Sequence, residues 1–382
     1  MPKLTLISLF LFLTTISFSQ KEATIKYGKV SVEDFNITSP VVDSNANAVI
    51  IADIGNLEFE GTSNGWFRTI FKRHRRIKII NKKGFDIATV KINLYKISND
   101  RQEKIEDVKG ATYNLENKNI ITTKLSSKAF VSEKIDNQHT TEKFTFENIK
   151  EGSIIEYSYT MSSDFLFNLQ DWYFQDYYPT LWSEFEVSIP EYFHYIFNTK
   201  GLDNPYDVLK SVTNEKYRLA GWTLTTKFEK FEMDAKVYHV KWSLKDVPGL
   251  RAEPFTTTLR NHIAKINFQL SQIRMPEQIP EDVVQSWEQI ADKRNKDERF
   301  GIPINKSNGW LDADMKVIIG NANTSEEKAQ KIYTFIRNNF TKTGEGTMLS
   351  INTSLKDVFK NRSGTVADIN LLLIAMLRHE KI

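Results

Sequence analysis

Apolar and polar residues change rhythm once along this chain. From Lys21 to Ile273 they alternate in short runs: Glu142 to Phe146, Ser153 to Thr160 (SIIEYSYT), Glu184 to Ile189 (EFEVSI), Gly221 to Thr226 (GWTLTT) and Val237 to Leu244 (VYHVKWSL). A period of two sends successive side chains to opposite faces of a strand, so each run predicts one face in a core and one in water. In the last run the expected core face is Tyr238, Val240, Trp242 and Leu244, with Val237, His239, Lys241 and Ser243 outward. Asn, Asp, Gly and Lys turns separate the runs and few helical stretches interrupt them. The expected fold is mainly β with an α-rich C-terminal part, its β region a large antiparallel sandwich.

From Pro276 the spacing becomes helical. Pro280 and the acidic pair Glu281-Asp282 predict a helix running toward Asp292, with Val283, Val284, Trp287 and Ile290 on its apolar side. A charged stretch from Asp292 to Arg299 (DKRNKDER) follows as a solvated linker or helix end. Thr324 or Ser325 is positioned to cap the next helix, whose first turn holds Glu326 and Glu327 and whose apolar stripe is Ala329, Ile332, Tyr333, Ile336 and Phe340. Two glycines break the pattern between Thr343 and Ser350, and a short helix is expected from Ser354 to Lys360. The last helix, Thr365 to Arg378 (TVADINLLLIAMLR), is apolar almost all round and belongs at the centre of a domain. Either other parts of the chain wrap it or sequence after Ile382 does, and the second is the expectation. The chain so divides into residues 1–19, a β-rich part 20–273, a helical linker 274–322 and a last part 323–382.

The amino end changes the picture of where the protein works. Lys3 precedes a charge-free apolar run from Leu4 to Phe18, and Ser17 and Ser19 place small side chains where a signal peptidase cuts, leaving Gln20 first. Residues 1–19 are therefore expected to be a signal peptide, and the protein to be periplasmic or extracellular. An uncleaved membrane anchor is the other reading, but it calls for about twenty apolar residues. No second run in the chain is long enough to span a membrane. The chain holds no cysteine, which removes disulfides, thiolate metal sites and thiol nucleophiles together. Lys plus Arg at 51 against Asp plus Glu at 48 leaves almost no net field, so no nucleic-acid partner is expected.

Two local clusters stand out. Lys72 to Lys83 (KRHRRIKIINKK) reads either as a patch for polyanions or anionic lipid, or as a hairpin whose basic face is solvated; the alternation of Arg76 and Lys78 with Ile77 and Ile79, and the turn-like Asn81-Lys82-Lys83-Gly84, favour the hairpin. Asp164 to Phe197 is unusually aromatic. Those rings supply a sandwich core, the favoured reading, or line a glycan groove in which Trp172, Tyr173, Tyr177 and Trp182 are the candidate residues.

Candidate chemistry is sparse. His74, His139, His194, His239 and His262 show no metal-ligand spacing, Asp312 and Asp314 lack the glycine and distal glutamate of a calcium loop, and no phosphate-cradling glycine loop or nucleophile elbow occurs. No cofactor and no metal are expected.

A helix such as Glu326 to Phe340, a glycine-bearing loop, a short helix, then Arg362-Ser363-Gly364-Thr365-Val366-Ala367-Asp368 and Leu371 to Arg378 resembles the front half of a transglutaminase-like, papain-related domain. The preceding β-rich region, with Asp171-Trp172-Tyr173-Phe174-Gln175, Pro179 and Pro190, resembles the domain of unknown function numbered 3857, which commonly precedes a transglutaminase-like one in exported proteins of the Bacteroidetes. The resemblance makes residues 323–382 a partial transglutaminase-like domain and places Thr365 where active members carry a nucleophilic cysteine, with Asp368 three residues on. A hydroxyl lacks the acidity of a positioned thiol, and Thr365 has no amino-terminal amine to activate it. Thr365 and Asp368 fit a helix cap instead. The family's histidine and aspartate belong on strands after the buried helix; His379 is the one histidine that follows Gly364. Two functions are expected on these grounds. The first is an exported, non-catalytic binding or scaffold protein of the envelope that meets a protein, peptide or glycan. The second is an enzyme of peptide or amide chemistry completed by sequence beyond residue 382. A β domain that binds alone, stabilised by the remnant, is a third form of the same idea.

Overall fold

The computed structural model describes residues 25–382 except 39–42, 63–64, 99, 137, 202–206, 223–227, 252–253, 255–257, 259–261 and 345–349. The expected signal peptide, the Thr223–Thr226 end of one expected strand and part of the glycine loop lie outside the described residues.

The strands that precede the helices are, in chain order, β1 (Ala48–Gly61), β2 (Phe67–Ile79), β3 (Thr89–Tyr95), β4 (Lys104–Glu116), β5 (Asn119–Lys124), β6 (Phe130–Lys134), β7 (His139–Thr145), β8 (Ile154–Ser163), β9 (Trp172–Tyr173), β10 (Thr180–Pro190), β11 (Phe193–Lys200), β12 (Asp207–Trp222), β13 (Phe228–Val247), β14 (Lys265–Ile273) and β15 (Glu281–Asp282). Eight form one sheet in the order β12-β13-β10-β1-β2-β8-β4-β5. Its pairings are antiparallel except β1 with β10, which run parallel from Ile50 beside Thr180 to Glu58 beside Ser188. Smaller sheets, β3-β7-β6 and β11-β14-β15 with β9 on β14, cover one of its faces. Phe144 of β7 meets Tyr157 of β8, Phe268 of β14 meets Phe185 of β10, and Phe197 of β11 meets Trp242 of β13. Phe144, Tyr157, Phe185, Trp242 and Phe268 belong to one continuous core with Leu57, Ile77, Ile155 and Val187, and removal of that apolar area from water holds the layers together. The expected sandwich is present, with its second layer split in two.

Burial departs from the alternation in the middle of β13. Tyr238 is 47% exposed and Val237 is fully buried, the reverse of the pattern reading. The chain leaving β10 crosses here: Glu191 donates its N–H to the Lys236 carbonyl, and the Tyr192 hydroxyl donates to the Asp234 carbonyl. Cover at this point follows that crossing and not the strand period.

The helices are α1 (Trp287–Asn295), α2 (Gly301–Asn305), α3 (Asp312–Ile319), α4 (Ser325–Asn339), α5 (Leu355–Asn361) and α6 (Val366–His379). The helix expected from Glu281 starts six residues later. Glu281 and Asp282 pair with β14 as a short strand, and Ser286 begins the helix through a capping box with Gln289. Ile304, Leu311 and Met315 pack in one core with Ile332 and Ile336 of α4, Val358 of α5 and Leu372 of α6, so the part of 274–322 that holds α2 and α3 is packed structure and not a linker. Helix α6 lies at the centre of this unit, with Ala367, Leu371, Leu372, Ala375 and Met376 buried. It is not buried all round: Val366 and Ile374, four-residue neighbours of Asn370, are 41% and 37% exposed. Among the described residues no helix is long and apolar enough to cross a membrane.

Candidate functional site

Thr365 is the N-cap of α6. Its hydroxyl oxygen accepts from the Asp368 N–H at 3.2 Å, and the Asp368 carboxylate accepts from the Thr365 N–H at 3.0 Å and from the Thr365 hydroxyl at 2.8 Å. Asp368 is 1% exposed, and its second oxygen takes the Asn352 N–H at 2.7 Å. One buried carboxylate therefore pins the helix start to the segment that leads into α5. Gly364 is needed beside it, since a Cβ there would lie 2.9 Å from the Asp368 Cβ. His379 stands at the far end of α6, about 20 Å along the axis from Thr365 at 1.5 Å per residue. It is held by Asp312 at 2.8 Å and Glu380 at 3.1 Å, and the Asp312 hydrogen bond foremost raises its pKa. The geometry gives Thr365 a cap to make and places His379 at the opposite end of the helix.

The basic run does not present a solvated face. Arg75, Arg76 and Lys78 are buried, because β2 lies between β1 and β8 in the interior of the sheet. On its core side Arg73 donates to Asp53 at 2.8 Å and 2.6 Å and sits 5.0 Å above the Trp172 ring, while Arg75 pairs with Asp53 at 3.1 Å and with Asp176. On the other side Arg76 and His74 meet Glu156 of β8 at 2.8 Å and 2.9 Å. Arg76 also reaches Asp34 and the carbonyls of Lys26 and Lys29, and the Lys78 ammonium donates to the Phe35 carbonyl at 2.6 Å. These charges are consumed in tying the amino-terminal segment and the second layer to the sheet; burial of a charge is tolerated only with such partners. The turn after β2 exists, with Asn81 accepting from the Lys83 N–H, but it leads into a different sheet, and β2 forms its hairpin with β1.

The aromatic stretch is mostly core. Phe165, Trp172, Phe174 and Phe185 are buried, and Trp172 stacks on Phe185 at 4.9 Å and 3°. The structure does not bring Trp172, Tyr173, Tyr177 and Trp182 onto one surface. Trp172 and Trp182 are 1% and 6% exposed, whereas Tyr173 and Tyr177 are 40% and 68% exposed.

Tyr173 does line a cleft of about 560 Å³. One wall is the end of β3 with the start of β7, where Tyr95 and His139 are register partners with rings 5.5 Å apart. The other is the loop after β8, with Phe167, Asn168 and Asp171. Glu103 fixes the walls to each other: its carboxylate accepts from the Tyr95 N–H at 2.8 Å, the Ser163 hydroxyl at 3.2 Å and the Asn168 amide at 3.4 Å. Burial outweighs these donors and raises the Glu103 pKa. Pattern reading did not single out Glu103 and held Phe167 only as one ring of the aromatic stretch, because the contacts that set this cleft join residues some sixty positions apart. Among the described residues no group of three His, Cys, Asp or Glu side chains is placed to hold a metal ion.

Residues 67–226 match the family model described as "Domain of Unknown Function with solved-structure structure (DUF3857)"; the match runs from the first residue of β2 past the end of β12. No curated protein matches the chain. Among solved structures it is similar to a "putative protease" from Parabacteroides distasonis ATCC 8503, at 14% identity and a TM-score of 0.56, over 88% of this chain and 59% of that one. The likeness is one of fold, and this chain spans 59% of the neighbour's length. A "putative nutrient binding protein" from Legionella pneumophila subsp. pneumophila str. Philadelphia 1 is 9% identical with a TM-score of 0.21, covering 78% of this chain and 82% of its own. The Fcho1 Mu homology domain of Danio rerio with bound Eps15 peptide is 10% identical with a TM-score of 0.15, covering 55% and 81%. These last two carry no argument about fold.

Proposed function

We propose that the protein is an exported, non-catalytic binding module of the cell envelope, a β-sandwich joined to a transglutaminase-like fold that keeps its shape without its nucleophile. The observation that carries this is the state of Thr365. Its hydroxyl both accepts from and donates to Asp368 within the cap, so both its lone pair and its proton serve the helix. The one histidine in that part of the chain is bonded to Asp312 and Glu380 at the opposite helix end. A general base must lie within hydrogen-bond reach of the proton it takes; the carboxylate in reach of the Thr365 proton is Asp368, which is buried and also accepts the Thr365 and Asn352 N–H groups, so it is engaged in holding the helix start. A protein, peptide or glycan partner then meets the sandwich, whose 560 Å³ cleft is of a size that accepts small ligands.

Thr365→Ala tests this. The variant is expected to melt lower, by a loss of about 1 kcal/mol as for other N-cap threonines, with no activity to lose in peptide hydrolysis or amine incorporation into a glutamine peptide. Turnover that vanishes in Thr365→Ala while melting stays constant would sink the proposal. The second reading, an enzyme of peptide or amide chemistry completed beyond residue 382, takes its support from the fold likeness to the Parabacteroides "putative protease". A histidine strand and an aspartate strand in sequence following Ile382 would favour it.

A further inference from the structure

The eight-stranded sheet ends on two edges of unequal kind. β5 is six residues long, whereas β12 runs sixteen residues with no proline and no register shift against β13. Toward its carboxyl end the β12 edge is covered by the turn between β1 and β2. The Ala220 N–H donates to the Gly65 carbonyl at 2.9 Å, and Gly61 lies so close to the Arg218 carbonyl that no Cβ would fit between them. From Val208 to Lys216, among the described residues, the backbone pairs with β13 alone. A long unpaired edge of this kind is a template for another strand. Val208 and Val212 share a face with their register partners Trp242 and Tyr238, and Leu209 lies on the other face. Leu209, Val212 and Tyr238 are 60%, 56% and 47% exposed, so both faces at this edge leave apolar surface in water.

Register decides which strand fits. Side-chain faces and outward-pointing backbone groups both repeat every two residues, so β12 can pair antiparallel with a copy of itself only in registers centred on a residue. Centring on Lys210 or Glu215 sets like charges on the two-fold axis, centring on Thr213 sets Lys210 against Lys216, and centring on Asn214 sets Lys210 against Arg218. Centring on Ser211 leaves Glu215 and Lys216 without a partner in the free stretch. Centring on Val212 sets that valine against its own copy, Ser211 against Thr213, Lys210 against Asn214, Leu209 against Glu215 and Val208 against Lys216. No like charges then face each other, the free stretch is used from end to end, and the exposed valines cover one another. Lysines on an edge strand discourage pairing in general. Here Lys216 is already met by Glu232 at 3.4 Å, and Lys210 excludes the competing registers.

We propose that two copies of this chain join through β12, antiparallel about Val212, so that the eight-stranded sheet continues across a two-fold axis. Such a contact uses the same patch on both copies and closes on itself, which stops the assembly at a dimer. One strand pair is smaller than a standard interface of about 1,600 Å², so dissociation in the micromolar range is expected. Sedimentation velocity of the full chain from about 1 to 200 µM tests this, with a monomer–dimer equilibrium expected inside that range. Val212→Lys places like charges on the axis and should weaken dimerisation about tenfold, whereas Asn214→Glu sets a carboxylate against Lys210 twice and should strengthen it by about as much. Both side chains are exposed, so neither variant should change the melting temperature. The chain has no cysteine, so Val212→Cys is a clean probe: oxidation should link two copies, while Leu209→Cys, opposite Glu215 of the other copy, should stay unlinked. A monomer throughout the range, a dimer indifferent to both charge variants, or equal linking at the two cysteines would overturn the inference.

Discussion

Glu156 has no exposed surface, and its carboxylate receives His74, Arg76, the Tyr113 hydroxyl and the Gly28 N–H. Burial alone would raise its pKa; the His74, Gly28 and Arg76 bonds outweigh burial and hold it below the usual carboxylate range. Asp176 is likewise depressed, burial being opposed by Arg75. A carboxyl whose pKa is lower in the folded chain adds stability that is in place above its unfolded value, about 4, and is lost as pH falls through the folded value. Glu103, raised by burial, works in the other direction and costs stability as pH rises through its folded value. The melting temperature is therefore expected to drop on acidification below about pH 4. Glu156→Gln should be less stable at neutral pH and show a shallower acid decline; an unchanged decline would place the acid sensitivity elsewhere. A charge of this kind is visible in the sequence, but its partner is not: Glu156 and Arg76 are eighty positions apart, and alternation alone puts both on a solvated face.

At the scale of elements, β1 approaches the second layer closely because Gly55 has no side chain. A Cβ there would lie 2.3 Å from the Trp172 ring and 2.8 Å from Phe185, the pair that stacks across the layers. Gly55→Ala is expected to lower stability by about 1–3 kcal/mol through overpacking, read as a lower urea midpoint with an unchanged slope. A midpoint equal to that of the parent would mean the two rings move aside freely. The helix starts were legible where a cap stands in the sequence: Thr324 with Glu327, Ser354 and Thr365 with Asp368 each begin a helix. The start of α1 was missed although Ser286 and Gln289 offer the same spacing. The acidic pair five residues earlier suggested a helix N-terminus, and only pairing with β14 decided that it is strand.

Across the whole molecule the buried apolar residues fall mainly into two clusters, one in the sandwich and one uniting α2 to α6, with a small third around Ala111, Tyr113 and Ile154 of the sheet, while α1 buries none of its side chains. Cooperative unfolding follows contiguous packing, so calorimetry is expected to show two transitions. Leu372 is fully buried at the centre of the helical cluster. Leu372→Ala should lower the helical transition by about 2–5 kcal/mol and leave the sandwich transition in place; a single transition shifted as one would show the two cores to be coupled. The proposed division of labour, a binding sandwich beside a helical unit whose Thr365 serves only its cap, sits at this scale.

Local chemistry settles what the sequence by itself determined. A period of two or of about 3.6, and a capping residue at a helix start, act over a handful of neighbours, so the strand-to-helix change, most element types and the Thr365–Asp368 cap were written in the chain. Tertiary structure decided which faces are covered. The basic strand became an interior ion-pair layer because β2 lies between β1 and β8 with acids on both sides. Of the four expected groove rings, Trp172 and Trp182 went to the core, and Tyr173 came to a cleft with Glu103 and Phe167. Whether an alternating strand meets water or another layer depends on contacts between distant segments, and those are set by packing and not by the pattern of any one of them.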